Sequence, residues 1–498
     1  MTPDWNAAAA QAATFTARWA GQPGGVFVLF DRNGPRAHAA GGLASLEHQV
    51  PFTANTPSRY ASISKHFLAA TLLLEGFELE SPLGTLLPDL PEAIGAVPLV
   101  RALTMTGGLP DMMEVLWQQG LPFTTTLGAE DIMRALRRVP GLCAEPGTEM
   151  AYSNTGWRLA QAALEAKAGR PYGAVLRERL LEPLGSAIAF PYDETDPVPG
   201  LATGYWMDPA DKDRWRRGRY GLHISASGGL AGSANALAHW MAALMSGRGP
   251  LSGLLTRLLA PGRPGAYRLG LVETHLGGAR IVGHGGSLPG YRNHLLFVPE
   301  AGIGVAFLSN RDEDSLPPAL TVLAALLGER PLRSPGLRPG LFAAPEGPVW
   351  AELHPDAIEF MGARERLFWD RGDYRSVPGT LEMTFLLEHE AIEGRFGGVG
   401  RRLTRVPAGL ALDKSLVGTW REPAFGAEIV IREDGTARFP LGVSLGRETT
   451  LTPLPGPRAL ATLPHLMWKH RPCLWRDGET LRLASHRARV LNFERQPE

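Results

Sequence analysis

The first 330 residues alternate between short apolar runs and longer segments with apolar positions at helical spacing. The run Val26–Phe30 predicts a buried strand, and the turn Asp31–Gly34 predicts a hairpin into a second strand at Ala37–Ala40. Further strands are predicted at Ala279–Val282, His294–Val298 and Gly304–Ser309. Because strands lie at both ends of a mostly helical middle, we expect one sheet whose first and last strands pair.

Helical periodicity is clear in several segments of the same region. The predicted helices are residues 5–20, Ala129–Arg138, Thr155–Ala168, Asn235–Ser246 and Pro318–Leu327. A further candidate helix, Ser62–Gly76, is apolar on nearly every face. A helix with almost no polar face belongs in the centre of a fold. We therefore expect Ser62 to lie at the N-terminus of a buried, central helix.

The pattern changes after Gly328, where prolines with interspersed glycines indicate a stiff linker. Short alternating segments then replace the helical spacing, and a break at Pro407–Gly409 divides them into two sets. Regularly spaced short strands predict two small antiparallel β-barrels. The predicted fold class is therefore α+β, with domains at residues 1–330, 341–413 and 414–498.

Composition and charge exclude several classes of protein. The 498 residues include 50 acidic and 50 basic side chains, so nothing favours a nucleic-acid partner or an anionic membrane. The apolar runs are too short to span a bilayer, and the N-terminal residues lack the features of a cleaved export signal. Cys143 and Cys473 have no partner at metal-ligand or redox spacing. We expect a cytoplasmic protein without a metal ion or other cofactor.

The stretch Ser62–Lys65 carries the strongest chemical signal. Only five of the 50 basic residues are lysine, and Lys65 is the one with a serine three positions before it. Residues i and i+3 share a helix face, so the Lys65 amine is expected to reach the Ser62 oxygen. A lysine can lose its proton and act as a base, whereas a guanidinium cannot. A helix-capping serine followed by a surface lysine is the alternative.

Two other segments offer complementary chemistry. Tyr152 and Asn154 lie on a turn before the helix predicted at Thr155, where a phenol could shuttle a proton. The alternative is a packed turn tyrosine with a helix-capping asparagine. His284 is followed by Gly285, Gly286 and Ser287, just after a predicted strand. Glycines there would let a substrate backbone lie close and leave N–H groups for an oxyanion. A plain turn is the alternative.

Taken together, these motifs follow the order Ser-x-x-Lys, Tyr-x-Asn and His-x-Gly, with 90 and then 132 residues between the lead residues. This order resembles that of the penicillin-recognising serine enzymes. Leu103–Pro110 is similar to a turn that these proteins often write as Leu-x-His-Thr-Ser-Gly-Leu-Pro, and Ser227–Leu230 is similar to one of their loops. A histidine in the third motif is typical of class C-like esterases and D-peptide hydrolases. With two C-terminal β-domains, the layout resembles the bacterial D-aminopeptidase family.

The resemblance implies a β-lactamase-like catalytic domain, an antiparallel sheet with helices, followed by two antiparallel barrels. It also implies that Ser62 attacks the carbonyl of an N-terminal D-residue and forms an acyl-enzyme. Lys65 would take the Ser62 proton, and Tyr152 would deliver it to the leaving amine. His284 would polarise Tyr152 and help to hold the substrate.

The resemblance implies substrate-binding roles as well. Asn154 would hydrogen-bond the substrate, which would lie along Gly285 and Gly286. The backbone N–H groups of Ser62 and Ser287 would form the oxyanion hole. The implied substrate is a small peptide, amide or ester, and the implied assembly is a homodimer.

One departure from the family concerns a loop of the last barrel, which is expected to reach the active site and supply an acid for the substrate amino group. The matching stretch, Pro453–Pro472, contains no Asp or Glu. Two alternatives to a D-aminopeptidase therefore stay open. One is a class C-like esterase or other acyl hydrolase using Ser62. The other is a non-catalytic penicillin-binding-like module, against which the full set of motif residues argues.

Overall fold

The computed structural model describes residues 2–192, 194–223, 225–260, 265–370, 372–377, 381–440, 447–465 and 467–497. The chain divides into two compact units. The sheet unit comprises Met1–Leu87 and Trp157–Leu332, and the barrel unit comprises Pro88–Gly156 and Arg333–Glu498. The domain boundaries predicted from the sequence stay predictions.

The helices of the described residues fall mostly within the first two thirds of the chain. They are α1 (Trp5–Thr16), α2 (Lys65–Leu74), α3 (Glu92–Gly95), α4 (Leu99–Leu103), α5 (Met112–Gln118), α6 (Ala129–Leu136), α7 (Thr155–Ala168), α8 (Tyr172–Leu176), α9 (Ala234–Ser246), α10 (Leu254–Leu258) and α11 (Leu316–Leu327). None of them is both long and apolar enough to cross a lipid bilayer.

Strands alternate with helices at first and then occupy most of the remaining chain. Those before residue 330 are β1 (Gly25–Asp31), β2 (Gly34–Gly41), β3 (Leu43–Ser45), β4 (Val50–Pro51), β5 (Ser58–Arg59), β6 (Tyr205–Asp208), β7 (Asp211–Arg217), β8 (Ala231–Gly232), β9 (Val272–Leu276), β10 (Ala279–Leu288), β11 (Tyr291–Val298) and β12 (Ile303–Ser309).

The later strands form the β-domains. They are β13 (Gly340–Ala343), β14 (Trp350–Leu353), β15 (Ala357–Phe360), β16 (Ala363–Asp370), β17 (Asp373–Val377), β18 (Met383–Leu387), β19 (Ala391–Phe396), β20 (Val399–Arg405), β21 (Gly418–Arg421), β22 (Glu428–Ile431), β23 (Thr436–Phe439), β24 (Arg447–Thr450), β25 (Thr452–Leu454), β26 (Arg458–Leu460), β27 (Leu463–His465), β28 (Trp468–His470), β29 (Cys473–Asp477), β30 (Thr480–Ala484) and β31 (Leu491–Arg495).

The centre of the sheet unit is an antiparallel sheet in the order β2-β1-β12-β11-β10-β9. Strand β1 pairs with β12 from Gly25 opposite Ser309 to Asp31 opposite Ile303, so the prediction that the first and last strands meet is confirmed. The apolar side chains of these strands are buried, and Phe27 stacks on Phe307 with ring centroids 4.3 Å apart. Helices α1 and α11 pack against each other and on this sheet, and α9 packs on β1, β2 and β12.

Helix α2 lies at the centre of the sheet unit, as its lack of a polar face predicts. Every residue from Lys65 to Leu73 is buried, and α8 and α10 pack against the helix. The predicted helix began at Ser62, but Ala61–Ser64 forms a 3₁₀ turn and the α-helix begins at Lys65. In a 3₁₀ turn side chains three residues apart eclipse one another, so this start brings positions 62 and 65 together.

His66 is a buried polar group of α2 that remains uncharged. Burial lowers its pKa to about 3, against a smaller opposing effect of the Ile63 carbonyl. The Trp240 Nε1–H donates to His66 Nε2 at 2.8 Å, so the ring acts as an acceptor there. Protonation would place a second donor against the indole N–H. His66 is therefore a site where acid weakens the fold.

We expect the His66→Gln variant to lose less stability than the wild type between pH 7 and pH 5. The folded-state pKa lies below the usual value of 6.5, so the stabilisation is present above pH 6.5 and is lost as the pH falls toward 3. Over this interval the wild type should lose about 2 kcal/mol more of its free energy of unfolding. Urea unfolding followed by near-ultraviolet circular dichroism measures the difference.

The control for this experiment is His38→Gln, which removes an exposed histidine of β2. It should follow the wild type at both pH values. The buried residues His294 and His486 are present in all three proteins, so their contributions cancel in the comparison. Equal pH dependence in the wild type and His66→Gln would contradict the assignment of a neutral, acceptor imidazole to His66.

The barrel unit contains two β-structures and the short helices α3–α6. Strands β13 to β20 form a closed antiparallel barrel with each strand beside its neighbours in sequence. Nine of the eleven remaining strands in the described residues build a sheet, nearly closed into a second barrel, in the order β24-β23-β22-β21-β31-β30-β29-β26-β25, and β27 and β28 form a separate two-stranded sheet. The predicted fold class, β-lactamase-like with two further antiparallel barrels, is confirmed.

Candidate active site

The residues predicted to act together are distributed over both units. Ser62, Lys65 and the stretch His284–Ser287 belong to the sheet unit, whereas Tyr152 and Asn154 belong to the barrel unit.

Ser62 and Lys65 are in direct contact. The Lys65 Nζ donates to Ser62 Oγ at 3.0 Å and to the carbonyl oxygen of Ser227 at 2.7 Å. The Lys65 side chain is completely buried, with its Nζ 6.0 Å from the centroid of the Trp157 ring. An amine held against a serine oxygen in a buried setting can take the serine proton. The surface-lysine alternative is excluded, because Lys65 is not on the surface.

The backbone just before Ser62 is strained. Ala61 has a φ of 51°, a left-handed conformation that is unfavourable for any residue with a Cβ. Strand β10 lies against this turn, because a Cβ added at Gly286 would be 2.2 Å from the Tyr60 carbonyl oxygen and 3.2 Å from the Ala61 Cβ. Gly286 therefore lets the chain's own backbone approach the strand. Packing of this kind holds a strained turn in place and fixes the direction of the Ser62 side chain.

His284–Ser287 lies within strand β10 rather than after a strand, because β10 continues to Leu288. The His284 side chain is buried. Its Nδ1 contacts the Gly285 carbonyl oxygen at 2.5 Å, and its Nε2 contacts the Tyr267 hydroxyl at 2.8 Å. Since a carbonyl can only accept, Nδ1 carries the proton and Nε2 accepts from Tyr267.

The charge state of His284 follows from its surroundings. Burial, with a further contribution from the nearby Lys65 charge, lowers the pKa of His284 well below its usual value. His284 is therefore a neutral ring with a defined tautomer. Tyr267 was not predicted from the sequence, because it lies 17 residues before His284 in a segment with no recognisable motif.

Ser287 lies opposite Arg292 on the neighbouring strand β11. The Arg292 guanidinium donates to Ser287 Oγ, and its Nε donates to Asp312 Oδ1 at 2.6 Å. The Ser287 side chain is thus held at the end of β10 by a charged group that is itself fixed.

In the barrel unit, Asn154 is organised around the buried carboxylate of Asp111. The backbone N–H and the side-chain Nδ2 of Asn154 donate to Asp111 Oδ2 at 3.3 and 3.1 Å. The other oxygen, Oδ1, accepts from the Met113 N–H at 2.9 Å and so caps helix α5. Asp111 therefore connects the first turn of α5 with the Tyr-x-Asn turn.

Tyr152 is buried, and Arg487 of the second β-domain contacts it. The guanidinium carbon of Arg487 lies 4.8 Å from the centroid of the Tyr152 ring. Arg487 Nη1 also donates to Asp111 Oδ2 at 3.1 Å. Asp111 and Arg487 belong to none of the three motifs and were therefore not predicted from the sequence.

Part of the predicted active-site loop forms the hairpin β27–β28, and residue 466 of that loop lies outside the described residues. His470 at the end of this hairpin stacks on Trp117 with ring centroids 3.7 Å apart. Its Nδ1 lies 3.2 Å from Glu114 Oε2. Burial alone would raise the pKa of Glu114, but its contact with His470 and the Arg487 charge lower it to about 2. Helix α5 thus presents an ionised acid to a loop that has none.

A separate cluster in the first barrel has the donor set of a metal site. One ligand atom each from Glu352, His354 and Glu359 lies within 4.8 Å of the others. The Arg471 guanidinium, however, already donates to Glu352 and, at 3.0 Å, to Glu359 Oε2. This arrangement is an ion pair between side chains, and the expectation of a metal-independent protein stays a prediction.

Two curated relatives are similar to this chain in sequence. The D-aminopeptidase of Gluconobacter oxydans (strain 621H) is 27% identical over 441 residues, which cover 85% of this chain and 76% of the relative. A D-aminopeptidase of Cereibacter sphaeroides (strain ATCC 17029 / ATH 2.4.9) is 27% identical over 349 residues, which cover 67% of this chain. The matched stretch covers 64% of that relative, just under two thirds of its length.

Solved structures share the fold. The D-amino acid amidase of Ochrobactrum anthropi SV3 in complex with D-phenylalanine superposes with a TM-score of 0.56 at 25% identity, over 65% of this chain and 99% of the amidase. An octameric penicillin-binding protein homologue of Pyrococcus abyssi gives a TM-score of 0.56 at 22% identity, over 77% of this chain and 96% of the homologue. The second likeness shows the fold alone.

The family itself is given by a match over most of the chain. The family model described as Beta-lactamase matches residues 12–329, which include Ser62, Lys65, Tyr152, Asn154 and His284. The resemblance drawn from the three motifs is confirmed. The chain belongs to the beta-lactamase family.

Proposed function

We propose that this protein is a serine hydrolase that releases an N-terminal D-amino acid, such as D-alanine, from peptides or amides through an acyl-enzyme on Ser62. The observation that carries the proposal is the 3.0 Å contact between the buried Lys65 Nζ and Ser62 Oγ. Relatives named D-aminopeptidase, and a D-amino acid amidase of the same fold, support the substrate class.

In the proposed acylation step, Lys65 removes the proton from Ser62, and the Ser62 oxygen attacks the substrate carbonyl. The backbone N–H groups of Ser62 and Ser287 stabilise the oxyanion. The C–N bond then breaks as Tyr152 delivers its proton to the leaving amine and takes in return the proton that Lys65 removed from Ser62. Water attacks the ester on Ser62 and releases the free D-amino acid, with the proton returning to the Ser62 oxygen.

The remaining predicted residues have supporting roles in this mechanism. Asn154 hydrogen-bonds the substrate, with its orientation set by Asp111. The substrate lies along Gly285 and Gly286. His284 polarises Tyr152 and helps to hold the substrate. Its ring is neutral in this role, because burial lowers its pKa and its Nε2 accepts a hydrogen bond from Tyr267. The homodimer and the cytoplasmic location stay predictions.

A class C-like esterase is the second candidate, and one observation favours it. The stretch Pro453–Pro472 has no acid to bind a free α-ammonium group, so a D-aminopeptidase would have to recognise that group by other means. A second observation favours the D-aminopeptidase instead. The buried Glu114 lies beside His470 of this stretch and is an ionised carboxylate that the sequence did not predict there. An esterase would need no such acid.

We expect the wild type to hydrolyse D-Ala-p-nitroanilide, to leave L-Ala-p-nitroanilide almost untouched, and to cleave p-nitrophenyl acetate. The rate constant kcat/KM for each substrate, measured by release of the nitro-aromatic product, decides between the two candidates. Cleavage of the ester alone would exclude the D-aminopeptidase and favour the esterase. Equal rates with the D- and L-anilides would exclude stereospecificity.

A further inference from the structure

Arg487 links the second β-domain to the Tyr-x-Asn turn through both backbone and side chain. It lies between strands β30 and β31. Its carbonyl oxygen accepts from the Asp111 N–H at 2.8 Å, and its Nη1 donates to Asp111 Oδ2 at 3.1 Å. The same guanidinium covers the Tyr152 ring, with its carbon 4.8 Å from the ring centroid. One cation thus contacts the residue before α5 and the phenol of the motif.

Burial makes these contacts strong. The Asp111 side chain is completely buried, whereas that of Arg487 is 27% exposed. A buried carboxylate needs partners for its charge, and Asp111 has them in Arg487 and in the Asn154 amide. The orientation of the Asn154 side chain is therefore coupled to the position of Arg487.

We propose that Arg487 is a positioning residue for Tyr152 and Asn154. The Arg487 guanidinium holds the phenol ring of Tyr152 and stabilises the ionised form of that phenol. A cation on the face of an aromatic ring is attracted to it, and the attraction grows when the ring bears a negative charge. The inference rests on the proposed function, because it assigns Tyr152 the transfer of a proton. It adds a participant from the second β-domain that lies outside the Ser-x-x-Lys, Tyr-x-Asn and His-x-Gly motifs.

Other titratable side chains lie near this cluster and are retained when Arg487 is replaced. In the described part of the barrel unit, the charged or titratable groups linked to the cluster are Asp111, Glu114, Glu149, His470, His486 and Arg489. Arg489 provides a matched comparison. It belongs to the same loop, is similarly buried, and its Nη2 lies 2.5 Å from Glu149 Oε1, three residues before Tyr152. Glu149 also keeps a second partner in Arg401 at 2.8 Å.

The experiment compares Arg487→Met, Arg487→Lys and Arg489→Met with the wild type in the full-length protein. The probe is ethyl acetate, because its leaving alcohol needs the proton that Tyr152 delivers and because its cleavage requires no recognition of a D-amino acid. We expect Arg487→Met to lower kcat about tenfold with little change in KM, and to move the alkaline limb of the pH profile of kcat/KM upward by about one unit, because Tyr152 must hold the proton that it delivers. Arg487→Lys should restore most of kcat and the wild-type pH profile.

Arg489→Met shows how far the melting temperature falls when a contact of this loop is lost without any change at Arg487. Its pH profile should match that of the wild type, and its melting temperature should fall about as far as that of Arg487→Met. Identical pH profiles for Arg487→Met and Arg489→Met would overturn the inference, as would a wild type without Ser62-dependent ester cleavage. If the wild type cleaved the ester but not the D-anilide, the proposed D-aminopeptidase would be rejected and the role of Arg487 would stand.

Discussion

Replacement of Ser62 by alanine is expected to lower kcat/KM for D-Ala-p-nitroanilide and for p-nitrophenyl acetate by at least about 10⁴-fold. The Ser62 oxygen lies 3.0 Å from the Lys65 amine and is the atom that is acylated in the proposed mechanism, so its removal leaves no nucleophile beside the base. What remains is binding and oxyanion stabilisation, which by themselves give only a small part of the catalysis. The measurement is steady-state kinetics combined with intact-protein mass spectrometry of the acylated enzyme.

Ser246→Ala is the control for this substitution. Ser246 lies at the end of α9 in the same sheet unit, and its hydroxyl donates to the Arg32 carbonyl oxygen at 2.9 Å. This variant should retain wild-type activity and should still form the adduct on the Ser62 peptide. A Ser62→Ala protein with wild-type turnover, or an adduct found on another serine, would reject the proposed nucleophile and the mechanism built on it.

The elements that the sequence predicted best are those whose hydrophobic period is strong. Helix α7 has the predicted bounds, Thr155–Ala168, and the predicted strand Val26–Phe30 lies within β1. Strand β16 was not predicted, because three consecutive charged residues, Arg364 to Arg366, interrupt any alternation of apolar and polar positions. One of them, Glu365, is buried and accepts the Leu381 N–H at 2.7 Å. An alternating pattern assigns an apolar residue to a buried position, but here a charged residue is buried, because a distant backbone N–H donates to its carboxylate.

The candidate site divides in the same way between local and distant partners. The contact between Ser62 and Lys65 follows from their spacing of three residues, so the sequence was sufficient to predict it. Asp111 meets Asn154 across 43 residues and meets Arg487 across 376. No periodicity encodes such pairs, because they depend on how separate elements pack. The Tyr267–His284 contact is hidden for the same reason, although only 17 residues separate the two rings.

The second large effect is expected at Lys65. Lys65→Arg keeps a positive charge and a long side chain but removes the ability to accept a proton, because a guanidinium does not deprotonate. We expect kcat/KM to fall by about 10³-fold or more with both the anilide and the ester. Stopped-flow measurement of nitrophenolate release should show that formation of the acyl-enzyme, rather than its hydrolysis, has slowed.

Two further variants separate the loss of a base from a disturbed fold. Lys65 is completely buried, so the larger arginine could disrupt packing, whereas Lys65→Met has nearly the same volume and no charge. Both variants should be inactive, and Lys65→Met should keep the near-ultraviolet circular dichroism spectrum of the wild type. Lys167→Arg changes an exposed lysine whose Nζ donates to the Glu75 carbonyl oxygen at 3.0 Å, and it should leave activity unchanged. If Lys65→Arg kept most of the activity, the side chain would be acting through its charge alone, and Ser62 would require a different base.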